Sequence, residues 1–175
     1  MSELKKLLAL DQSSSVSGYA IFDTDGSLIS YGKIAPEGET VDRIMKLVSE
    51  VKKLISENGI EEVVIEDIYY SGNAETYKVL SFVMAGLIFL FTEEEIPYNI
   101  LTASQWKSQL NIKGKNRPEQ KRKAQEYIEK EYDLKVIQDV CDSICIGATH
   151  IKKKYNKDAH KSKECHSEEK ELLYF

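Results

Sequence analysis

The sequence predicts one α/β domain over residues 1–154: a five-stranded mixed sheet, three antiparallel strands and then two parallel ones, flanked by helices. Three observations predict it. Up to Ile34 the chain carries three strand-length apolar runs separated by turn residues, with no helical period. From Thr40 onward, short apolar runs alternate with segments whose apolar residues recur at helical spacing, the pattern of parallel strands joined by crossover helices. Finally, 175 residues with 42% hydrophobic and 30% charged content are enough for one core of ordinary globular composition.

Leu4–Leu10 reads as a buried strand that ends at Asp11. Gln12 to Ser15 supply turn chemistry, Gly18–Phe22 a second strand, Asp25-Gly26 a hairpin turn and Leu28–Ile34 a third strand. Thr40 is placed to cap a helix in which Val41, Ile44, Leu47, Val48, Val51, Leu54 and Ile55 recur at helical spacing, and Asn58-Gly59 stops it. Glu62–Glu66 is a short buried strand of the parallel type. A second helix runs from about Ala74 to Glu93, and its later part is apolar nearly all round, so one sheet face cannot cover it. That predicts either a deeply sandwiched helix or a dimer interface over Val79–Phe91. The same stretch falls short of the ~20 residues that span a bilayer, and no signal peptide is visible. Pro97–Leu101 forms a fifth strand and Ser104–Leu110 a short helix. Pro118 opens a helix reaching about Glu131, and Asp139 to about Lys153 is the last helix. Right-handed crossovers set the fourth and fifth strands beside the first, parallel to it. Residues 155–175 are polar and without period, which predicts a mobile tail.

Charge is unevenly placed. The chain as a whole carries a formal net charge of −5, yet Lys107, Lys113, Lys115, Arg117, Lys121, Arg122 and Lys123 face a single acid, Glu119, between Ala103 and Gln125. Cations packed this closely repel unless a polyanion neutralises them, which predicts contact with nucleic-acid phosphates. Cys141, Cys145 and Cys165 are odd in number and form no CxxC pair, so reduced thiols and a cytoplasmic location are expected. Cys141 and Cys145 read as buried. His150 reads as a helix-end residue beyond the acids, and His160, Cys165 and His166 fit no zinc spacing.

Four carboxylates carry the chemistry. Asp11 ends the first strand and Glu66 the fourth, so neighbouring parallel strands bring both to the sheet edge where such folds build sites. Asp139 and Asp142, three apart at a helix start, share one face. Each acid alone has a simpler reading as turn, strand-end or cap residue. Together they do not all stay ionised without cations, and an oxygen-only set suits Mg²⁺ or Mn²⁺. Two such ions about 3.5–4 Å apart support phosphodiester hydrolysis.

Leu10–Ile21 (LDQSSSVSGYAI) resembles the first motif of the RuvC-type Holliday junction resolvases, Val64–Ala74 (VIEDIYYSGNA) the second, and Asp139–His150 (DVCDSICIGATH) the last. The resemblance implies an RNase H-like fold and a homodimer that nicks symmetry-related strands of a four-way junction, with forks and flaps as further branched substrates. It implies Asp11, Glu66, Asp139 and Asp142 as catalytic, metal-binding acids, with two Mg²⁺ or Mn²⁺ per site. Tyr69 falls where the family has an aromatic near the junction centre, and Lys107 and Lys121 fall near its DNA-contacting lysines. Gln12-Ser13 replaces the family's usual Pro-Gly, and Asn111 to Asn116 differs from its Gly-rich loop. Short length, acidic total and these departures resemble the bacteriophage branch, which would place the protein in a host cytoplasm. The rival readings are an RNase H-like nuclease for RNA–DNA hybrid or structured RNA, a non-catalytic junction binder, and an actin-like nucleotide-binding fold. The last needs a second phosphate hairpin that this chain lacks.

Overall fold

The structure, a computed structural model, describes residues 4–155. Strands β1 (Lys6–Asp11), β2 (Ser17–Asp23), β3 (Leu28–Ile34), β4 (Glu62–Glu66) and β5 (Tyr98–Leu101) form one sheet in the order β3-β2-β1-β4-β5. The first three are antiparallel neighbours, while β1–β4 and β4–β5 are parallel, as the sequence predicts. Helices α1 (Thr40–Asn58), α2 (Ala74–Glu93), α3 (Ala103–Gln109), α4 (Arg117–Tyr132) and α5 (Gln138–Lys154) complete the element order.

Strand alternation divides the core into two layers. Leu8, Leu10, Val63 and Ile65 point to the side covered by α1 and α2, where they meet Leu47, Val51, Val83 and Leu87. Leu7, Ala9 and Val64 point to the other side, against Trp106, Ile128, Val140 and Ile144 from α3, α4 and α5. Asp11 and Glu66 continue the second series, two residues beyond Ala9 and Val64, so both acids leave the sheet on the α5 side. Helix α5 is buried almost continuously from Val140 to Ile151. Small residues let it approach closely: a Cβ on Gly147 would stand 2.4 Å from the Phe22 ring and 3.0 Å from the Ala9 methyl.

Several local expectations are corrected. The α1 cap position is Glu39, with no side-chain cap bond, and Thr40 is already helical; Gly59 ends the helix at φ 63°. Helix α4 begins at Arg117, one residue before Pro118, behind an Asn116 side chain that accepts from the Glu119 N–H. Helix α2 is not sandwiched. It buries Val83, Leu87, Leu90 and Phe91 in one stripe and leaves Phe82 and Phe89 52% and 65% exposed. Its 20 residues make it, among the described residues, the one helix long and apolar enough to cross a membrane by length and composition. Here its buried stripe covers the sheet.

His150 lies near the end of α5, as read from the sequence, but with a partner that the sequence did not announce. It is buried within α5, and its Nε2 lies 2.8 Å from Oε1 of Glu62, itself buried at the start of β4. Asn99 (3.1 Å) and Lys154 (2.6 Å) donate to the same oxygen, and the Tyr155 hydroxyl donates to Oε2 at 2.6 Å. Burial acts to raise the Glu62 pKa, but the hydrogen bonds from His150, Lys154 and Tyr155 outweigh it and hold the carboxyl at about 2. Tyr155, the first residue assigned to the tail, thus packs against the domain. The rest of the expected tail, with His160, Cys165 and His166, lies outside the described residues.

Candidate active site

The sheet edge opposite Glu62 carries the other acids. The β1–β4 ladder pairs Leu10 with Ile65, so Asp11 and Glu66 emerge side by side one residue later. Asp11 also pairs with Gly18 on β2, and Gly18 lies directly beneath the first turn of α5. A Cβ at Gly18 would fall 1.9 Å from the Asp139 carbonyl oxygen, so only glycine lets α5 start this close to β1. That contact brings Asp139 and Asp142 to Asp11.

Asp11 feels the charges of the other three acids. Burial raises the Asp11 pKa well above its ordinary value, with further elevation from the charges of Glu66, Asp142 and Asp139 and partial relief from Lys107. Asp142 is pushed up to about 6, first by burial and then by Glu66, against a hydrogen bond from Gln138 and the charges of Lys107 and Lys121. Glu66 is raised by burial, opposed by the Trp106 hydrogen bond and by Lys107 and Arg117. A group of oxygen donors that repel one another is the condition a divalent cation relieves, and no histidine or cysteine is among them. Among the described residues, however, no three of these side chains stand as a ready-made metal cage. The Gln138 side chain donates to Asp142 Oδ1 at 2.6 Å and the Trp106 indole to Glu66 Oε1 at 2.7 Å.

A cleft of about 920 Å³ opens over this edge, and Glu66, Asp142, Tyr69, Lys107, Arg117 and Lys121 are among the residues lining it. Tyr69, 80% exposed, stands on its rim. Lys107 is half-buried, its ammonium 5.2 Å from the Trp106 ring centroid. The remaining cations are placed differently. Lys113 and Lys115 are exposed but do not line the cleft. Arg122 pairs with Glu126, and Lys123 with Glu119 and the Lys113 carbonyl. Glu126 lies just past the basic window, so the local excess of positive charge is smaller than the sequence count.

Three polar residues of the site went unread in the sequence. Gln138 precedes the twin-Asp motif and looks like any helix-start residue. Gln12 stood out only as turn chemistry and as a departure from the family pattern. Trp106 carried a usable signal: a tryptophan in an otherwise polar segment buries its ring, and the buried indole N–H needs an acceptor.

Comparison with known proteins gives a family and a fold. The family model described as crossover junction endodeoxyribonuclease RuvC matches residues 7–150. No curated protein matches the sequence. Among solved structures, T. thermophilus RuvC in complex with Holliday junction substrate aligns at TM-score 0.69 and 12% identity, over 86% of this chain and 95% of that one. The fowlpox virus resolvase with its substrate Holliday junction DNA aligns at 0.57 and 15%, over 86% and 99%. The yeast mitochondrial Holliday junction resolvase aligns at 0.56 and 15%, over 90% and 84%. At these identities the structural likeness speaks to the fold, the RNase H-like sheet with its flanking helices.

Proposed function

From the premise that this chain belongs to the RuvC family of crossover junction endodeoxyribonucleases, we propose that it resolves four-way DNA junctions by metal-dependent hydrolysis. The observation that carries the reading is the meeting of Asp11, Glu66 and Asp142 with Lys107 and Lys121 at one sheet edge, close enough that each acid's ionisation depends on the others or on these cations. Asp11, Glu66, Asp139 and Asp142 would hold two Mg²⁺ or Mn²⁺. Bound there, the ions supply Lewis-acid activation of a water and of the leaving oxygen. Lys107 and Lys121 keep the acid cluster from excessive negative charge and, with Arg117, grip phosphates along the cleft. Lys113 and Lys115 extend that contact outward. Tyr69, exposed on the rim, stacks on an unpaired base at the branch.

The protein acts as a homodimer in this reading, since a four-way junction presents two symmetry-related strands. The exposed Phe82 and Phe89 of α2 support an interface there. Recognition then rests on junction shape and phosphate spacing more than on base edges. Forks and flaps are further substrates in this reading, and the short length, acidic total and departures from the family pattern support a bacteriophage-branch enzyme acting in a host cytoplasm.

The test is cleavage of a labelled synthetic four-way junction with Mg²⁺ or Mn²⁺, beside matched duplex and RNA–DNA hybrid. Paired symmetric nicks in the junction, lost in Glu66→Gln and Asp142→Asn, are expected. Cleavage of the hybrid alone would replace the reading with a hybrid-directed nuclease. Absence of metal-dependent cleavage of any substrate would reject it.

A further inference from the structure

Glu66 is held at three points by two side chains, Trp106 and Gln12, the second of which stands where the resolvase pattern has proline. Gln12, 7% exposed, spans from the end of β1 to the end of β4. Its Nε2 donates to the Glu66 carbonyl, and its Oε1 accepts the Glu66 N–H at 3.2 Å. A primary amide presents the same donor and acceptor as a peptide group, so this side chain adds one rung to the parallel ladder beyond Leu10 and Ile65. Trp106, 2% exposed, gives its indole N–H to Glu66 Oε1 at 2.7 Å. The ring is itself well anchored, because a capping box between Thr102 and Gln105 fixes the start of α3. Glu66 Oε2 accepts no hydrogen bond among the described residues.

A buried indole must find some acceptor, so the bond alone does not establish a role. The arrangement around it is more telling. One residue fixes the backbone of the acid and the other fixes one of its two oxygens, while the second oxygen is left without a partner. Groups outside the ligand set orient ligands in this way and commonly matter about 10–100-fold for metal affinity or activity.

We propose that Gln12 and Trp106 are positioning residues for Glu66, together holding its backbone and Oε1 so that Oε2 is the oxygen offered to a divalent cation. The inference rests on the metal-dependent reading above. It carries a direct physical consequence, because Trp106 is the one tryptophan in the chain and is bonded to a proposed ligand. Its fluorescence therefore reports cation arrival at Glu66 without DNA and without turnover.

The experiment titrates Mg²⁺ into the full-length protein while following tryptophan emission, then compares wild type with Glu66→Gln. A saturable change in wild type, absent in Glu66→Gln, is expected. An emission blind to Mg²⁺ in wild type overturns the proposal. In parallel, Trp106→Phe keeps a ring and removes the N–H, and Gln12→Met keeps similar bulk and removes both bonds. Each should raise the Mg²⁺ concentration for half-maximal junction nicking about tenfold or more, with junction affinity in Ca²⁺ unchanged. Variants that fold and show the wild-type metal midpoint refute the positioning roles while leaving the nuclease reading intact. A wild type whose emission responds to Mg²⁺ but which nicks no junction does the reverse: the positioning frame stands and the nuclease reading falls.

Discussion

Replacing Gly18 by alanine is expected to disable the acid cluster while leaving the sheet folded. The added Cβ would stand 1.9 Å from the Asp139 carbonyl oxygen, 2.2 Å from its carbon and 2.7 Å from the Val140 nitrogen. All three are backbone atoms, so no side-chain rotation removes the clash. Ordinary contact begins near 3.4 Å, and the start of α5 must therefore retreat by about 1.5 Å or the β1–β2 hairpin must shift by as much. Overpacking of this kind typically costs about 1–3 kcal/mol of stability. Its effect on chemistry is larger, because Asp139 and Asp142 ride on the displaced turn while Asp11 and Glu66 stay with the sheet. A misplacement of about 1 Å costs roughly 100-fold in rate. The assay is single-turnover nicking of a four-way junction at saturating Mn²⁺, beside thermal unfolding of the same preparation. Gly59→Ala provides a matched control: it destabilises the left-handed end of α1 by roughly 1–2 kcal/mol, has open space around its Cβ and touches none of the acids. It should nick normally below its unfolding temperature. A folded Gly18→Ala protein with the wild-type rate would refute the view that the seating of α5 against β1 sets the site.

The remaining predictions concern charge. Arg117→Ala should lower the slope of log affinity against log salt by roughly 0.9, one phosphate contact, whereas Arg122→Ala should leave it unchanged because Glu126 already holds that guanidinium; fluorescence anisotropy over a salt series separates them. In protein stripped of metal, Asp142→Asn should melt higher than wild type at neutral pH. The folded-state pKa near 6 lies above the ordinary 3.8, so ionisation costs stability progressively as pH rises from 3.8 to about 6 and in full above that, and the advantage should shrink as pH falls from about 6 toward 3.8. Glu62 has the opposite sign: its carboxyl, lowered from 4.5 to about 2, contributes stability present above 4.5 and lost as pH falls toward 2. Acid denaturation should be shallower in Glu62→Gln, and the stability lost at neutral pH should be on the order of 3 kcal/mol.

The topology was legible because period and order are local properties. The hairpin turn at Asp25-Gly26, the helical spacing after Thr40 and the parallel-type Glu62–Glu66 each carry their own signal, and chain order with right-handed crossover fixes the sheet. The acids followed from the same logic, since strand ends and helix starts converge in any such sheet. Contacts between elements far apart in sequence were not legible. Gln12 reaches Glu66 across 54 residues and His150 reaches Glu62 across 88, and neither residue type announces a partner. The bond from His150 to Glu62 was not foreseen because helix periodicity says nothing about which face meets a charged strand end. The basic run was overcounted for a related reason: linear counting cannot tell a cation facing the cleft from Arg122, whose partner lies one helical turn on.

Glu62 and Glu66 begin and end the same strand, point to the same face and meet opposite fates. Four donors converge on Glu62, so burial there is more than offset and the acid is fixed in its ionised form. A single indole N–H reaches the carboxylate of Glu66, which faces other acids, so its burial is not offset. Helix α5 connects the two ends: it starts at the acids and finishes at His150 and Lys154, both bound to Glu62. Because the helix is rigid over its length, the lock at Glu62 limits how far the Asp139–Asp142 turn can back away from Asp11. The repelling acids push α5 off the sheet at one end while the ion-paired end holds it on. Cations at the acid end would turn that repulsion into cohesion, which would make the stability of this fold depend on metal most strongly where the chemistry is proposed to occur.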